Sequence, residues 1–81
     1  MGAHVTVLYF ASLRDAAGMA DEMLETQAAD LRALYAALQA RHGFAMPVER
    51  LRVAVDGAFA DWGAAPVPGS EIAFIPPVSG G

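Results

Sequence analysis

His4-Val5-Thr6-Val7-Leu8-Tyr9-Phe10 is a run of β-branched, aliphatic and aromatic residues near the start of the chain. Side chains alternate between the faces of a strand, so Val5, Val7 and Tyr9 share one side while Thr6, Leu8 and Phe10 share the other. This stretch predicts the first strand, and Glu71-Ile72-Ala73-Phe74-Ile75 predicts the last, with Ile72 and Phe74 facing one way and Ala73 and Ile75 the other.

The segments between them alternate in type. Ala11 to Gly18 reads as a short irregular or helical connection, and Asp21-Glu22-Met23-Leu24-Glu25-Thr26 as a polar strand whose charges suit a sheet edge. Asp30 is a good N-cap, because its carboxylate can accept free N–H groups of a first helical turn. Leu31, Leu34, Tyr35 and Leu38 then recur at helical spacing, Arg41 and His42 place positive charge in the last turn, and Gly43 can close the helix. Leu51-Arg52-Val53-Ala54-Val55 alternates again. Asp56-Gly57 turns it into a short second arm, Ala58-Phe59-Ala60-Asp61-Trp62, and Pro66-Val67-Pro68-Gly69-Ser70 connects to the last strand.

Two strands, one main helix and three more strands make an α+β domain with a helix on one face of the sheet. Nothing covers the other face, so Thr6, Leu8, Phe10, Ala54, Phe59, Ala73 and Ile75 are expected there as a partly apolar, exposed patch of the kind that marks an interface. At 81 residues the chain is expected to be one domain with a modest core, since 18 of its residues are Ala.

Charge and composition narrow the chemistry. A net charge of -4 with scattered Arg14, Arg32, Arg41, Arg50 and Arg52 offers no basic stripe, so no nucleic-acid partner is expected and basic protein partners suit the chain better. No apolar run is long enough to span a bilayer and no leader pattern opens the chain, so no membrane partner and a cytoplasmic location are expected. There is no Cys to hold a persulfide or a thiolate metal site, and no Lys to accept an isopeptide bond from a sister molecule.

The end of the chain is the candidate site. Pro76 and Pro77 cannot donate ladder hydrogen bonds, so the strand must stop there and the following chain is held extended. Residues 1–75 thus read as the body and 76–81 as a flexible tail, able to project roughly 20 Å at about 3.3 Å per residue. Gly80 and Gly81 have no side chains, so they fit a narrow channel in a partner and let its backbone approach the carboxylate closely. An ionised carboxylate is a poor electrophile. Activation by ATP to an acyl-adenylate, followed by replacement of the adenylate by sulfur, would turn it into a thiocarboxylate.

The ending Phe74-Ile75-Pro76-Pro77-Val78-Ser79-Gly80-Gly81, with Leu8-Tyr9-Phe10-Ala11-Ser12-Leu13-Arg14 and Pro68-Gly69-Ser70-Glu71-Ile72, resembles the small subunit of molybdopterin synthase, the MoaD-type proteins. The resemblance covers essentially the whole chain. It implies a ubiquitin-like β-grasp fold with a five-stranded mixed sheet in the order 2-1-5-3-4. It also implies adenylation of Gly81 by a ubiquitin-activating-type adenylyltransferase, conversion to a thiocarboxylate, and sulfur donation inside the large synthase subunit to a cyclic pyranopterin precursor, building the dithiolene of molybdopterin. Two small and two large subunits are implied. By the same resemblance Gly80 matches the neighbour of the modified residue, Phe10, Phe59 and Ile75 match the partner-binding face, and Arg14 matches an arginine of the N-terminal motif whose role is partner contact or plain solvation. Ile75 departs from the Phe often found there, keeping apolar character without the ring. Asp56-Gly57 departs from a turn that commonly contains Asn.

Other candidates read more simply as structure. His4 and His42 have no ligand-spaced partner, so no metal is assigned; Ser12, Ser70 and Ser79 have no base arranged by a motif. Ser79, with Pro76, Pro77 and Val78, is expected to line a partner's channel. Tyr35 and Trp62 read as core or half-buried residues, Trp62 over the end of the hairpin. The glycines at Gly57, Gly63 and Gly69 form no phosphate loop, so no bound cofactor is expected and ATP belongs to the activating partner. Three other functions remain open: a thiamine-pathway sulfur carrier, which is usually shorter and lacks the Pro-Pro-Val-Ser run; a ubiquitin-like modifier conjugated through Gly81; and a noncovalent binding module.

Overall fold

Val5, Val7 and Tyr9 are buried, as the alternation predicts, in strand β1 (Ala3–Tyr9) of a computed structural model that describes residues 2–77. Helix α1 (Ser12–Ala17) follows, then β2 (Asp21–Thr26), the main helix α2 (Leu31–His42), a 3-10 turn over Val48–Arg50, β3 (Arg52–Val55), β4 (Ala58–Ala60) and β5 (Glu71–Ile75). The strands form one sheet in the order β2-β1-β5-β3-β4, with β1 and β5 parallel and every other neighbouring pair antiparallel. This is the mixed order that the resemblance implied, and polar β2 lies at an edge.

Helix α2 starts where its unpaired backbone N–H groups find acceptors. The Asp30 carboxylate accepts from the Ala33 amide at 2.8 Å, and the Leu31 and Arg32 amides donate to the carbonyls of Ala64 and Trp62 at 2.9 and 3.0 Å. It ends at Gly43, whose φ of 73° lets its amide turn back to the Gln39 carbonyl. Leu31, Leu34, Tyr35 and Leu38 form the buried stripe and join Val5, Val7, Tyr9, Val53, Ile72 and Phe74 in one core. The Tyr35 ring meets Phe74 edge-on at 5.2 Å, and its hydroxyl donates to the Met46 carbonyl at 2.6 Å, so a large aromatic is buried with its polar atom satisfied.

Two sequence expectations need correction. The second hairpin arm stops at Ala60 instead of running to Trp62. Trp62 turns off the sheet and stacks on Phe74 at 5.8 Å, also meeting Tyr35 edge-on, because covering two core rings buries more apolar surface than extending an edge strand. It therefore caps the core as well as the hairpin end. Ala54, expected in the exposed patch, is only 6% exposed, since a small side chain mid-sheet is shaded by Phe59 and Ala73 opposite it on either side.

A buried acid fastens α2 to the sheet. The side chain of Glu22 accepts from the Tyr9 hydroxyl at 2.7 Å and pairs with His42 at 3.0 Å and Arg41 at 3.1 Å. Burial pushes the Glu22 carboxyl up, but the hydrogen bonds from Tyr9 and His42 and the charge of Arg41 outweigh it and leave it below its ordinary value. The same site raises Tyr9 strongly, through burial first and then its bond to Glu22, so the phenol stays protonated and donates. A depressed carboxyl stabilises the fold above its unfolded value of 4.5, and this contribution is lost as the pH falls through the lower folded value. Glu22→Gln is accordingly expected to cost about 1–3 kcal/mol at neutral pH in denaturant unfolding, with the gap to wild type shrinking in acid.

Candidate functional site

The uncovered face of the sheet follows from register. Leu8, Ala73, Ala54 and Phe59 sit opposite one another across β1, β5, β3 and β4, and Arg52 sits opposite Ile75 in the neighbouring row. Toward β2 the face carries Asp21 opposite Leu8, Met23 opposite Thr6, and Glu25 opposite His4. Phe59 is 67% exposed and Phe10 44%, whereas Leu8, Ala73 and Ile75 are half-buried. Alternation therefore places Leu8, Ala73, Phe59 and Ile75 on this face, Ala54 shares it but is covered, and exposed Phe10 lies just past the end of β1.

A turn follows Phe10 directly. The Phe10 carbonyl accepts from the Leu13 amide at 3.1 Å, and Ala11 between them has φ 52° and ψ −124°, the first central position of a type II′ turn. A side chain is disfavoured there, and such a residue carries strain of about 1–3 kcal/mol. Strain beside an exposed aromatic at the end of β1 is thus built into the patch. Asp56 and Gly57, with φ 49° and 85°, make the type I′ hairpin turn, and the Asp56 carboxylate accepts from the Glu71 amide at 2.9 Å. Asp56 thereby ties the hairpin to the start of β5.

The tail leaves beside this face. Phe59, Ile75, Pro76 and Pro77 line one cleft of about 260 Å³ together with Arg50 and Arg52. The structure thus brings together four of the predicted residues. Phe10 and Arg14 are not among the lining residues: Phe10 immediately follows Tyr9, which pairs with Phe74, and exposed Arg14 lies on α1. Val78, Ser79, Gly80 and Gly81 fall outside the described residues. Arg52, whose guanidinium lies 5.4 Å from the centre of the Phe59 ring, was read in the sequence only as a scattered cation. The signal was there, because Arg52 is two residues before Ala54 and so shares its face.

Among the other candidates, the Ser70 side chain is buried and donates to the Val67 carbonyl at 2.6 Å, a turn role. His42 sits on Glu22, and Ser12 opens α1. Among the described residues no helix is long and apolar enough to cross a membrane.

Residues 7–81 match the ThiS family. The chain belongs to the ThiS family. None of the curated proteins matches it in sequence. Its fold is the ubiquitin-like β-grasp, shared with SAMP1 from Haloferax volcanii at a TM-score of 0.79 and 27% identity, covering 98% of this chain and 100% of that one. A putative molybdopterin converting factor subunit 1 from Pyrococcus furiosus is similar at 0.76 and 27%, covering 94% and 99%. The third is in a complex of subunits 1 and 2 of the molybdopterin-converting factor from Helicobacter pylori, at 0.66 and 25%, covering 96% and 99%.

Ala11→Gly removes the side chain from the disfavoured conformation at the cost of a more flexible unfolded chain. The relief exceeds that cost, so thermal unfolding is expected to show a gain of about 1 kcal/mol, a rise of about 4–8 °C for a domain of this size.

Proposed function

We propose that this chain is the sulfur carrier subunit of molybdopterin synthase, working through the C-terminal carboxylate of Gly81. A carboxylate oxygen attacks the α-phosphorus of ATP on a ubiquitin-activating-type adenylyltransferase, releasing pyrophosphate. Hydrosulfide then attacks the acyl carbon, AMP leaves, and loss of the sulfur's proton yields the thiocarboxylate. Residues 76–81 carry that group into the large synthase subunit, where sulfur passes to a cyclic pyranopterin precursor. The body, 1–75, stays outside.

The observation that carries this reading is the ThiS-family match running through Gly80 and Gly81, joined to a tail root that lies in a cleft with Phe59 and Ile75 on an uncovered sheet face. The similar Helicobacter protein is in a complex with the second subunit of its converting factor, which supports a large-subunit partner. Phe10, Phe59 and Ile75 are the proposed contacts with that partner, and Pro76, Pro77, Val78 and Ser79 the segment that lines its channel. Two carriers and two large subunits form the proposed assembly, in the cytoplasm. A thiamine-pathway carrier would use the same activation with a different acceptor.

A second reading is a protein modifier, favoured by the similarity to Haloferax SAMP1, one of the small archaeal modifier proteins, at the same 27% identity. In that case Gly81 would be joined to amines on other proteins, and the absence of Lys would prevent lysine-linked chains of copies.

Incubation with ATP, a sulfur source and the cognate adenylyltransferase is expected to replace one C-terminal oxygen by sulfur, read by intact-mass spectrometry. An unchanged mass with an active enzyme would rule out the carrier chemistry. Deletion of Gly81 should abolish sulfur transfer while leaving the unfolding curve unchanged. Conjugates on other proteins would support the modifier reading.

A further inference from the structure

Arg50 and Arg52 are set apart by place: exposed Arg14 also has no acidic partner among the described residues, but it lies on α1 and does not line the cleft. The chain carries a net charge of -4, and its described ion pairs use Arg32, Arg41 and His42. Arg50 and Arg52 are exposed, have no acidic partner among the described residues, and flank the root of the tail in the cleft with Phe59, Ile75, Pro76 and Pro77. The acids of the same face are elsewhere: Asp21 and Glu25 lie on edge strand β2, and Glu71 at the far end of β5 from the tail. Across this face, charge is therefore separated, positive beside the tail and negative toward β2.

Arg52 is also held in place. Its guanidinium lies over the Phe59 ring at 5.4 Å, and β3–β5 pairing sets it opposite Ile75. A cation–π contact leaves N–H donors of the guanidinium fork for a carboxylate that takes two parallel hydrogen bonds. A lysine at this position would keep the charge and lose that fork. Two exposed arginines do not enclose a small anion, and the acids on the same face disfavour a polyphosphate backbone. A protein surface carrying an acidic side chain matches both the apolar area and the charge.

Building on the proposed synthase function, we propose that Arg52, backed by Arg50, pairs with an acidic side chain at the mouth of the tail channel in the large subunit. Phe10, Phe59 and Ile75 supply apolar contact, which is the same in many rotations of the carrier. The Arg52 pair supplies the rotation, because it lies to one side of the tail and its opposite charges lie toward β2. Complementary charge of this kind sets register and speeds encounter.

The test is calorimetric titration of the full chain into the cognate large subunit, at low and at high salt. Arg52→Glu is expected to weaken binding about 100-fold at low salt, since it would face a like charge. Arg50→Glu is expected to weaken it about tenfold, and Arg52→Lys about 2–5-fold through loss of the guanidinium fork. High salt should narrow all three gaps, because these charges are exposed and screened. Phe10→Ser, at an apolar contact outside the arginine cleft, is expected to lose affinity equally at both salt concentrations. Thermal unfolding of each variant checks that the fold is retained. Arg52→Glu binding as tightly as wild type, or a loss that salt does not narrow, overturns the arginine contact while leaving the synthase reading intact. Failure of the wild-type chain to bind the large subunit would overturn the synthase reading itself and the contact with it.

Discussion

The parallel pairing of β1 with β5 sets the position of everything else. It joins the first and last strands of the described chain in the middle of the sheet, with Val7 opposite Ile72 and Tyr9 opposite Phe74, all buried. Parallel strands require a long crossover, and here that crossover holds β2, α2 and the β3–β4 hairpin. Because the two strands run the same way, their ends emerge at one end of the sheet. Phe10 and Ile75, the next residue after each member of the Tyr9–Phe74 pair, are thereby brought to the same end of the sheet.

The second constraint is that one main helix covers one side. Leucines and Tyr35 of α2 complete the core over β1, β3 and β5, while the residues of opposite parity are left without a layer. A small domain accepts that loss of burial only where the open side is narrow or is used for binding. Here the centre of the open side is small residues, Ala54 and Ala73, with aromatics at its margins. Such a surface is flat in the middle and offers side chains for contact around it. The Arg52–Phe59 cation–π contact gives this surface a direction, which a purely apolar patch lacks.

Much of the fold was legible because its periodicities are clean. Val5-Thr6-Val7-Leu8-Tyr9 and Ile72-Ala73-Phe74-Ile75 assign their own faces, and Asp30, the Leu31-Leu34-Tyr35-Leu38 stripe and Gly43 mark the helix from cap to cap. The departures are all places where distant residues compete with local pattern. Trp62 leaves the hairpin for Phe74 and Tyr35, Ala54 is shaded by strands on both sides, and Glu22 is drawn in by Tyr9, Arg41 and His42. Apart from Phe59, which meets Ala54 across the short β3–β4 hairpin, these partners are remote in the chain from the side chains they act on.

By itself, the sequence determined which side of each strand is apolar, where the main helix begins and ends, and that Pro76 and Pro77 stop β5. Those properties depend on alternation, capping and the fixed φ of proline, which act over a few neighbouring residues. Only the tertiary structure decided that Arg50 and Arg52 flank the tail root, that the Arg52 guanidinium lies over Phe59, and that a strained Ala11 turns the chain directly after exposed Phe10. Those arrangements depend on the order and register of strands remote in the chain, which are settled by how the whole core closes.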